Sequence, residues 1–259
     1  MRVKIESIIE DYVKEYESTE GIRSEWKVPL VAFADAMDPM FNRLKEVVAP
    51  THAMPRDFMS DGRTIITYFL PFQDFIPDSN IGGRKASEVW AIAYVETNEL
   101  IARLNKHIKQ RIEELGHGAE LIPMALSYAP DNLKSDWSQR HVAYIAGLGK
   151  FGLNNMLITE KGCCGRVGSI ITNLKIEPTK RDEDEYCLYK AGINCTKCID
   201  NCINDALRDD GFVRERCYEM CRENGERYKY LGHSEVCGKC LVGIPCSFEN
   251  PVIKSKVRL

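Results

Sequence analysis

The chain has 259 residues, enough for one large domain or two small ones, and its 44% hydrophobic and 28% charged residues exclude wholesale disorder. Its 35 Lys and Arg against 38 Asp and Glu leave a net charge of -3, which supplies no electrostatic case for nonspecific nucleic-acid or membrane binding. No stretch approaches the ~20 apolar residues that span a bilayer, and the opening MRVKIESIIEDYVKEYE lacks the apolar core of a signal peptide, so the sequence reads as a soluble, cytoplasmic protein.

In chain order, Val3 to about Ser18 carries Ile5, Ile8, Ile9, Tyr12, Val13 and Tyr16 at three- and four-residue steps, an amphipathic helix. Pro29, Pro39, Pro50 and Pro55 then separate short apolar runs. Arg63 to Phe72, RTIITYFLPF, is rich in β-branched and aromatic residues and predicts a buried strand. After a loop with Gly82 and Gly83, Ser87 to Leu115 predicts a long helix with Val89, Trp90, Ala93, Leu100, Ile101, Leu104, Ile108 and Ile112 on one stripe. Glu120 to Tyr128 predicts a strand, and His141 to Ile145 a helix running into GLGKFG, Gly147 to Gly152. Strands over Asn155 to Thr159 and Val167 to Leu174 flank the turn EKGCCGR. This alternation predicts an α+β chain, with an α/β core over 1–178 and a small metal-dependent module over 179–259.

The cysteines define that module. Only Cys163 and Cys164 precede it, whereas the other nine of the 11 fall between Cys187 and Cys246. Without an export signal, such a cluster suits metal binding better than a disulfide framework. CLYKAGINCTKCIDNC is C-x7-C-x2-C-x3-C, Cys217 and Cys221 follow, and CGKCLVGIPC is C-x2-C-x5-C. In two-cluster ferredoxins the fourth cysteine of a run ligates the other cluster. On that logic Cys187, Cys195, Cys198 and Cys246 hold one 4Fe–4S cluster. Cys202, placed at the start of a helix over Ile199 to Leu207, crosses to a second with Cys237, Cys240 and either Cys217 or Cys221. Paired zinc sites also use C-x2-C units but usually lack the crossover cysteine.

Other residues bear on a cofactor. Gly147, Gly149 and Gly152 match G-x-G-x-x-G, but they follow a helix instead of a strand. Close backbone approach to a large cofactor is therefore favoured over a dinucleotide loop. Gly165, Arg166 and Gly168 read as a glycine-flanked turn in which Arg166 reaches a phosphate or amide of such a cofactor, or else stays solvated. His141 is placed to approach it or to serve as an ordinary core histidine. Trp137 reads as core, Cys221 as a spare helical cysteine. Cys163 and Cys164, being adjacent, are expected to diverge into one buried and one exposed thiol.

WSQRHVAYIAGLGKFGLNN, followed by GRVGSIIT and the two-cluster cysteine run, resembles the epoxyqueuosine reductase family, above all its short relatives in anaerobes, which are related to reductive dehalogenases. The likeness covers about residues 120–250, and no counterpart of that family's C-terminal helical repeats is expected. The resemblance implies a nitroreductase-like core holding base-off cobalamin and a ferredoxin-like module passing it electrons, with FMN in the core as the alternative. It selects Cys217 over Cys221 as the second cluster's ligand and requires the longer Cys187-to-Cys195 loop to bulge outward. A proton donor is implied within SYAPDNLKSDWSQRH, where Asp131, Asp136 and Tyr128 are the candidates. The expected partners are a small organic substrate or modified nucleoside and an external low-potential donor of ferredoxin or flavodoxin type. tRNA is a candidate for which the net charge makes no case. A non-catalytic electron carrier or reductive activator of a corrinoid protein is the remaining expectation.

Overall fold

The computed structural model describes residues 1–123 and 133–257. Helix α1 (Arg2–Glu17) leads to strand β1 (Leu30–Asp35), a 3-10 turn and the one-turn helices α2 (Leu44–Val47) and α3 (Pro55–Phe58). Then come β2 (Thr64–Pro71), α4 (Phe75–Ser79), the 26-residue α5 (Glu88–Glu113), β3 (Ala119–Leu121) and α6 (Gln139–Ile145). The short strands β4 (Lys150–Phe151) and β5 (Leu157–Ile158) pair with each other, and β6 (Gly165–Thr172) completes the main sheet. The cysteine-rich part holds α7 (Lys197–Asp200), the paired β7 (Leu207–Arg208) and β8 (Gly211–Phe212), α8 (Arg214–Arg227) and the terminal α9 (Pro251–Val257).

The main sheet runs β1–β2–β6–β3 with every neighbouring pair antiparallel. All eight positions of β2 are buried because both sheet faces are covered, which explains its unbroken apolar run. Ile66, Tyr68 and Leu70 point to one face, where α1 and α5 pack. Ile65 and Phe69 point to the other, against Phe41, Trp137 and α6. This period-two division makes a helix–sheet–helix sandwich. Two buried polar residues on α5 are paired: Asn105 accepts from the Tyr68 hydroxyl at 2.7 Å, and Thr97 from the Trp26 indole at 3.0 Å. Among the described residues no helix is long and apolar enough to cross a membrane.

Several expectations are corrected. Strand β1, which is LVAFAD, emerges from the proline-punctuated stretch as an edge of the sheet. The expected turn at Gly165 to Gly168 is instead the start of β6, in register with Pro71 to Tyr68. A side chain at 165 would overlap Phe69 and the Leu70 carbonyl, and one at 168 would overlap the Tyr68 ring, so glycine here serves close strand packing. The helix expected over Ile199 to Leu207 stops at Asp200, and Leu207 belongs to a strand. Cys202 therefore follows a helix instead of starting one. The strand foreseen for Glu120 to Tyr128 begins one residue early, and its part from 124 lies outside the described residues.

The cysteine-rich part docks where β2 ends and α5 begins. Phe72 and Trp90 share one apolar cluster with Tyr228, Val236, Leu241 and Val242. Buried Asn80 donates to the Cys237 carbonyl at 2.9 Å, and the Tyr228 hydroxyl donates to the Ala86 carbonyl at 2.6 Å.

Candidate functional site

Two cavities divide the cysteines. A small one of about 20 Å³ is lined by Cys187, Cys195, Cys198 and Cys246. A larger one of about 220 Å³ is lined by Cys202, Cys217, Cys221, Cys237 and Cys240. Buried Asn154 lines both, and its side chain donates to the Cys240 carbonyl at 3.0 Å. The thiols surround space: among the described residues no three His, Cys, Asp or Glu side chains stand close enough to share one metal ion. Four thiolates are the ligand set of a cubane, and the smaller cavity has four cysteines and the larger five, so the residues present fit that group.

Local structure fixes these positions. Gly238, at φ +74°, turns the C-G-K-C segment back on itself, and Lys239 beneath it is buried with its Nζ donating to the carbonyls of Asn80 and Gly82. Cys217 and Cys221 lie one turn apart on α8. The Leu207 backbone N–H donates to Cys202 Sγ at 3.2 Å, the kind of contact that stabilises a thiolate ligand. Cys246 is held by the EKGCCGR segment, whose Cys163 N–H donates to the Cys246 carbonyl at 2.9 Å and whose Cys164 N–H donates to that of Ser247 at 3.1 Å. The expected divergence of Cys163 and Cys164 is corrected. Both are 1% exposed, and both Sγ atoms face the Leu241 carbonyl, at 3.9 and 3.2 Å.

Burial pushes Cys198 up to about 12, with further upward pressure from Cys246, Cys187 and Cys195. Cys240 is raised by burial and then by Cys237, Cys217, Cys202 and, from the other set, Cys198. Cys217 is instead lowered, first by a hydrogen bond from Cys221 and then by the Arg140 guanidinium. Thiols held protonated above their ordinary range must release protons when they bind metal, so loading is favoured as pH rises. The sign for stability is opposite. The folded metal-free chain keeps the Cys198 proton at pH values where the unfolded chain has lost it, so this contribution is intact below about pH 9 and fades as pH climbs toward 12. Thermal midpoints of the metal-free chain are expected to fall between about pH 8.5 and 10, while those of metal-loaded chain hold. Equal pH dependence of the two forms would contradict the assignment.

The residues expected to cradle a corrin or flavin behave differently. A Cβ at Gly149 would overlap the Ile158 carbonyl, one at Gly152 would meet the Asn154 side chain, and one at Gly147 would press on the Lys180–Arg181 backbone. With Gly165 and Gly168 packed on β2, all five glycines are required by the chain's own packing, and Gly165 also lines the larger cavity. Arg166 lines the larger cavity with its guanidinium 4.3 Å from the Tyr94 ring centroid. His141 bonds Ser138 through Nδ1 at 2.7 Å, lies against Phe151 at 4.6 Å, and is lowered to about 4, chiefly by burial, so it is neutral at physiological pH. Asp136 accepts from the Thr51 hydroxyl at 2.5 Å and lines neither cysteine cavity. Tyr128 and Asp131 lie outside the described residues. Trp137 is core, 4% exposed, as expected. Sequence reasoning missed Asn154, Asn80 and Trp90 as the supports of the cysteine loops, because an isolated Asn or Trp carries no spacing signal.

The geometry defines a mixed helix-and-sheet core bearing a cysteine-rich module with two separate thiol-lined sites. No family model matches the chain. An epoxyqueuosine reductase from Lactococcus garvieae is 34% identical over 112 residues, 42% of this chain and 30% of that protein. A tetrachloroethene reductive dehalogenase from Desulfitobacterium hafniense is 32% identical over 114 residues, 41% of this chain and 20% of that protein. Among solved structures, epoxyqueuosine reductase from Streptococcus thermophilus superposes with a TM-score of 0.59 at 20% identity, covering 95% of this chain and 66% of that one. An epoxyqueuosine reductase bound to an epoxyqueuosine-modified tRNA-Tyr stem loop gives 0.57 at 18% identity, over 95% and 66%. The aligned regions thus span less than a third of the two sequence relatives. Part of the chain is thus similar in sequence to epoxyqueuosine reductases and to a reductive dehalogenase, and its fold is similar to that of epoxyqueuosine reductases.

Proposed function

We propose that the chain is an oxidoreductase of the epoxyqueuosine reductase type, in which two 4Fe–4S clusters pass electrons singly from an external low-potential donor to a redox group in the core. The observation that carries this reading is the division of nine cysteines into two adjoining sets beside the core, supported by the relatives' shared fold. Cys187, Cys195, Cys198 and Cys246 are the proposed ligands of one cluster, and Cys202, Cys217, Cys237 and Cys240 those of the other. The module then corresponds to a ferredoxin-like unit and the sandwich to a nitroreductase-like one.

On the resemblance alone, the redox group is a base-off cobalamin that, once reduced, acts as a strong nucleophile, and FMN is the alternative. The substrate is a small organic molecule or modified nucleoside, and Asp136, Asp131 and Tyr128 stand as proposed proton donors. The test is anaerobic titration of cluster-loaded protein with cob(II)alamin and, separately, with FMN. Saturable cob(II)alamin binding, reducible by one electron, supports the first form, and saturable FMN binding with flavin reduction supports the alternative. Binding of neither group to fully cluster-loaded protein would overturn the enzymatic reading and leave an electron carrier.

A further inference from the structure

The two thiol-lined cavities differ in their surroundings. The smaller is walled mainly by Leu153, Leu188, Ile244 and prolines, with Lys197 at its rim, whose side chain is largely exposed. The larger contains Arg166 and Trp90. Arg166 Nε and Trp90 Nε1 are N–H donors, fully buried and without any hydrogen-bond acceptor, and Trp90 is 4% exposed. Among the described residues no carboxylate pairs with Arg166, whose guanidinium meets the Tyr94 ring and hydrogen-bonds the Tyr94 side chain while its Nε stays without an acceptor. Trp90 lies directly under the C-G-K-C turn, so close that a Cβ on Gly238 would stand 2.6 Å from the indole Nε1. Lys239 in that turn adds a second buried cation, satisfied by carbonyls and not by a carboxylate.

Orphaned donors and a guanidinium without a carboxylate partner are costly in a dry cavity unless an anionic acceptor occupies it. A cubane with four thiolates is such a group. In the oxidised 2+ state its net charge is −2, and accepting one electron from the external donor, which is oxidised by one electron, takes it to −3. No bond forms or breaks and no proton moves. A fixed positive charge and N–H donors aimed at sulfur stabilise the more negative form.

We propose that Arg166 and Trp90 are positioning residues for the cluster at Cys202, Cys217, Cys237 and Cys240, and that they make it the easier of the two clusters to reduce. Electrons entering the chain then collect at this cluster. The inference rests on the two-cluster reading above and goes beyond it in ranking the clusters and naming what ranks them.

The test is an anaerobic redox titration of the reconstituted full chain, followed by electron paramagnetic resonance, with iron and sulfide measured on each sample. The wild type is expected to show two separated midpoints. Arg166→Gln is expected to lower one of them by about tenfold in the reduction equilibrium, ~59 mV for one electron, and leave the other in place. Arg166→Lys recovers most of that shift, and Trp90→Phe produces a smaller shift of the same sign. Coincident midpoints in the wild type, or midpoints that stay fixed or move together in the variants, overturn the inference. If Arg166→Gln takes up less iron, Trp90→Phe decides: an unmoved midpoint there overturns the inference. A wild-type chain that takes up no sulfide overturns the cluster reading beneath it, a result distinguishable from the others by the sulfide assay alone.

Discussion

Cys240→Ala is expected to cut bound iron from about eight to about four atoms per chain, four being the content of one cubane. Cys240 lines the larger cavity, and its thiol is pushed upward by burial together with Cys237, Cys217 and Cys202, the set proposed to share one cluster. Cys198→Ala is expected to halve iron in the same way but to remove the other cluster's signal, because Cys198 is set by Cys246, Cys187 and Cys195. The pair Cys217 and Cys221 gives the sharpest comparison. Cys217 acts on both Cys237 and Cys240, whereas Cys221 stands one helical turn on, bonds to Cys217 itself and is raised by Cys237 alone of that pair. Cys217→Ala should therefore lose four irons and Cys221→Ala none. Iron and labile sulfide assays on the four variants check this, and iron lost from Cys221→Ala but kept in Cys217→Ala would reverse the two roles.

Gly162→Ala is expected to be among the most damaging single methyl groups in the chain. Gly162 adopts φ +76°, and a Cβ there would overlap the Ser247 carbonyl and stand 2.5 Å from the Phe248 nitrogen, backbone atoms that cannot swing aside. The clash falls on the segment that clasps Cys246 to the core, through Cys163 N–H and Cys164 N–H. Overpacking at ~1–3 kcal/mol and a left-handed residue at ~1–2 kcal/mol combine to roughly 3 kcal/mol or more. For a chain of this size that is a fall of about 6–12 °C in thermal midpoint. Gly192→Ala is the control: φ is +82° but nothing lies within 4 Å, so only the backbone cost applies, about 1–2 kcal/mol. Differential scanning calorimetry checks both. Equal losses from the two variants would show that the Gly162 contact does not hold Cys246.

The long elements were legible because their signals are regional. Helices α1 and α5 and strand β2 follow from periodicity and burial on one or both faces, and Ser87 caps α5 where the sequence places its start, its hydroxyl accepting from the Trp90 N–H at 3.1 Å. The thiols grouped by spacing line two cavities, Cys187, Cys195, Cys198 and Cys246 about one and Cys202, Cys217, Cys221, Cys237 and Cys240 about the other. What failed was local reading of glycine and cysteine. Gly165 and Gly168 looked like turn residues, yet what requires them is Phe69 and Tyr68 lying across from them on another strand, a constraint invisible without the pairing. Gly149 looked like room for a ligand and is room for the Ile158 backbone. The adjacent Cys163 and Cys164 alternate along an extended chain, but the bend that follows Gly162 turns both toward Leu241. Strand β1 was hidden because prolines before and after it resemble loop punctuation, although its six residues between them are free of proline.

The most direct measurement is the iron, acid-labile sulfide, zinc, cobalt and flavin content of protein purified without oxygen. Two cubanes held by the C-terminal cysteines require about eight iron atoms and a matching number of sulfides per chain. Two zinc ions with no labile sulfide would contradict the account at its root, because thiols that hold only structural metal carry no electrons to anything.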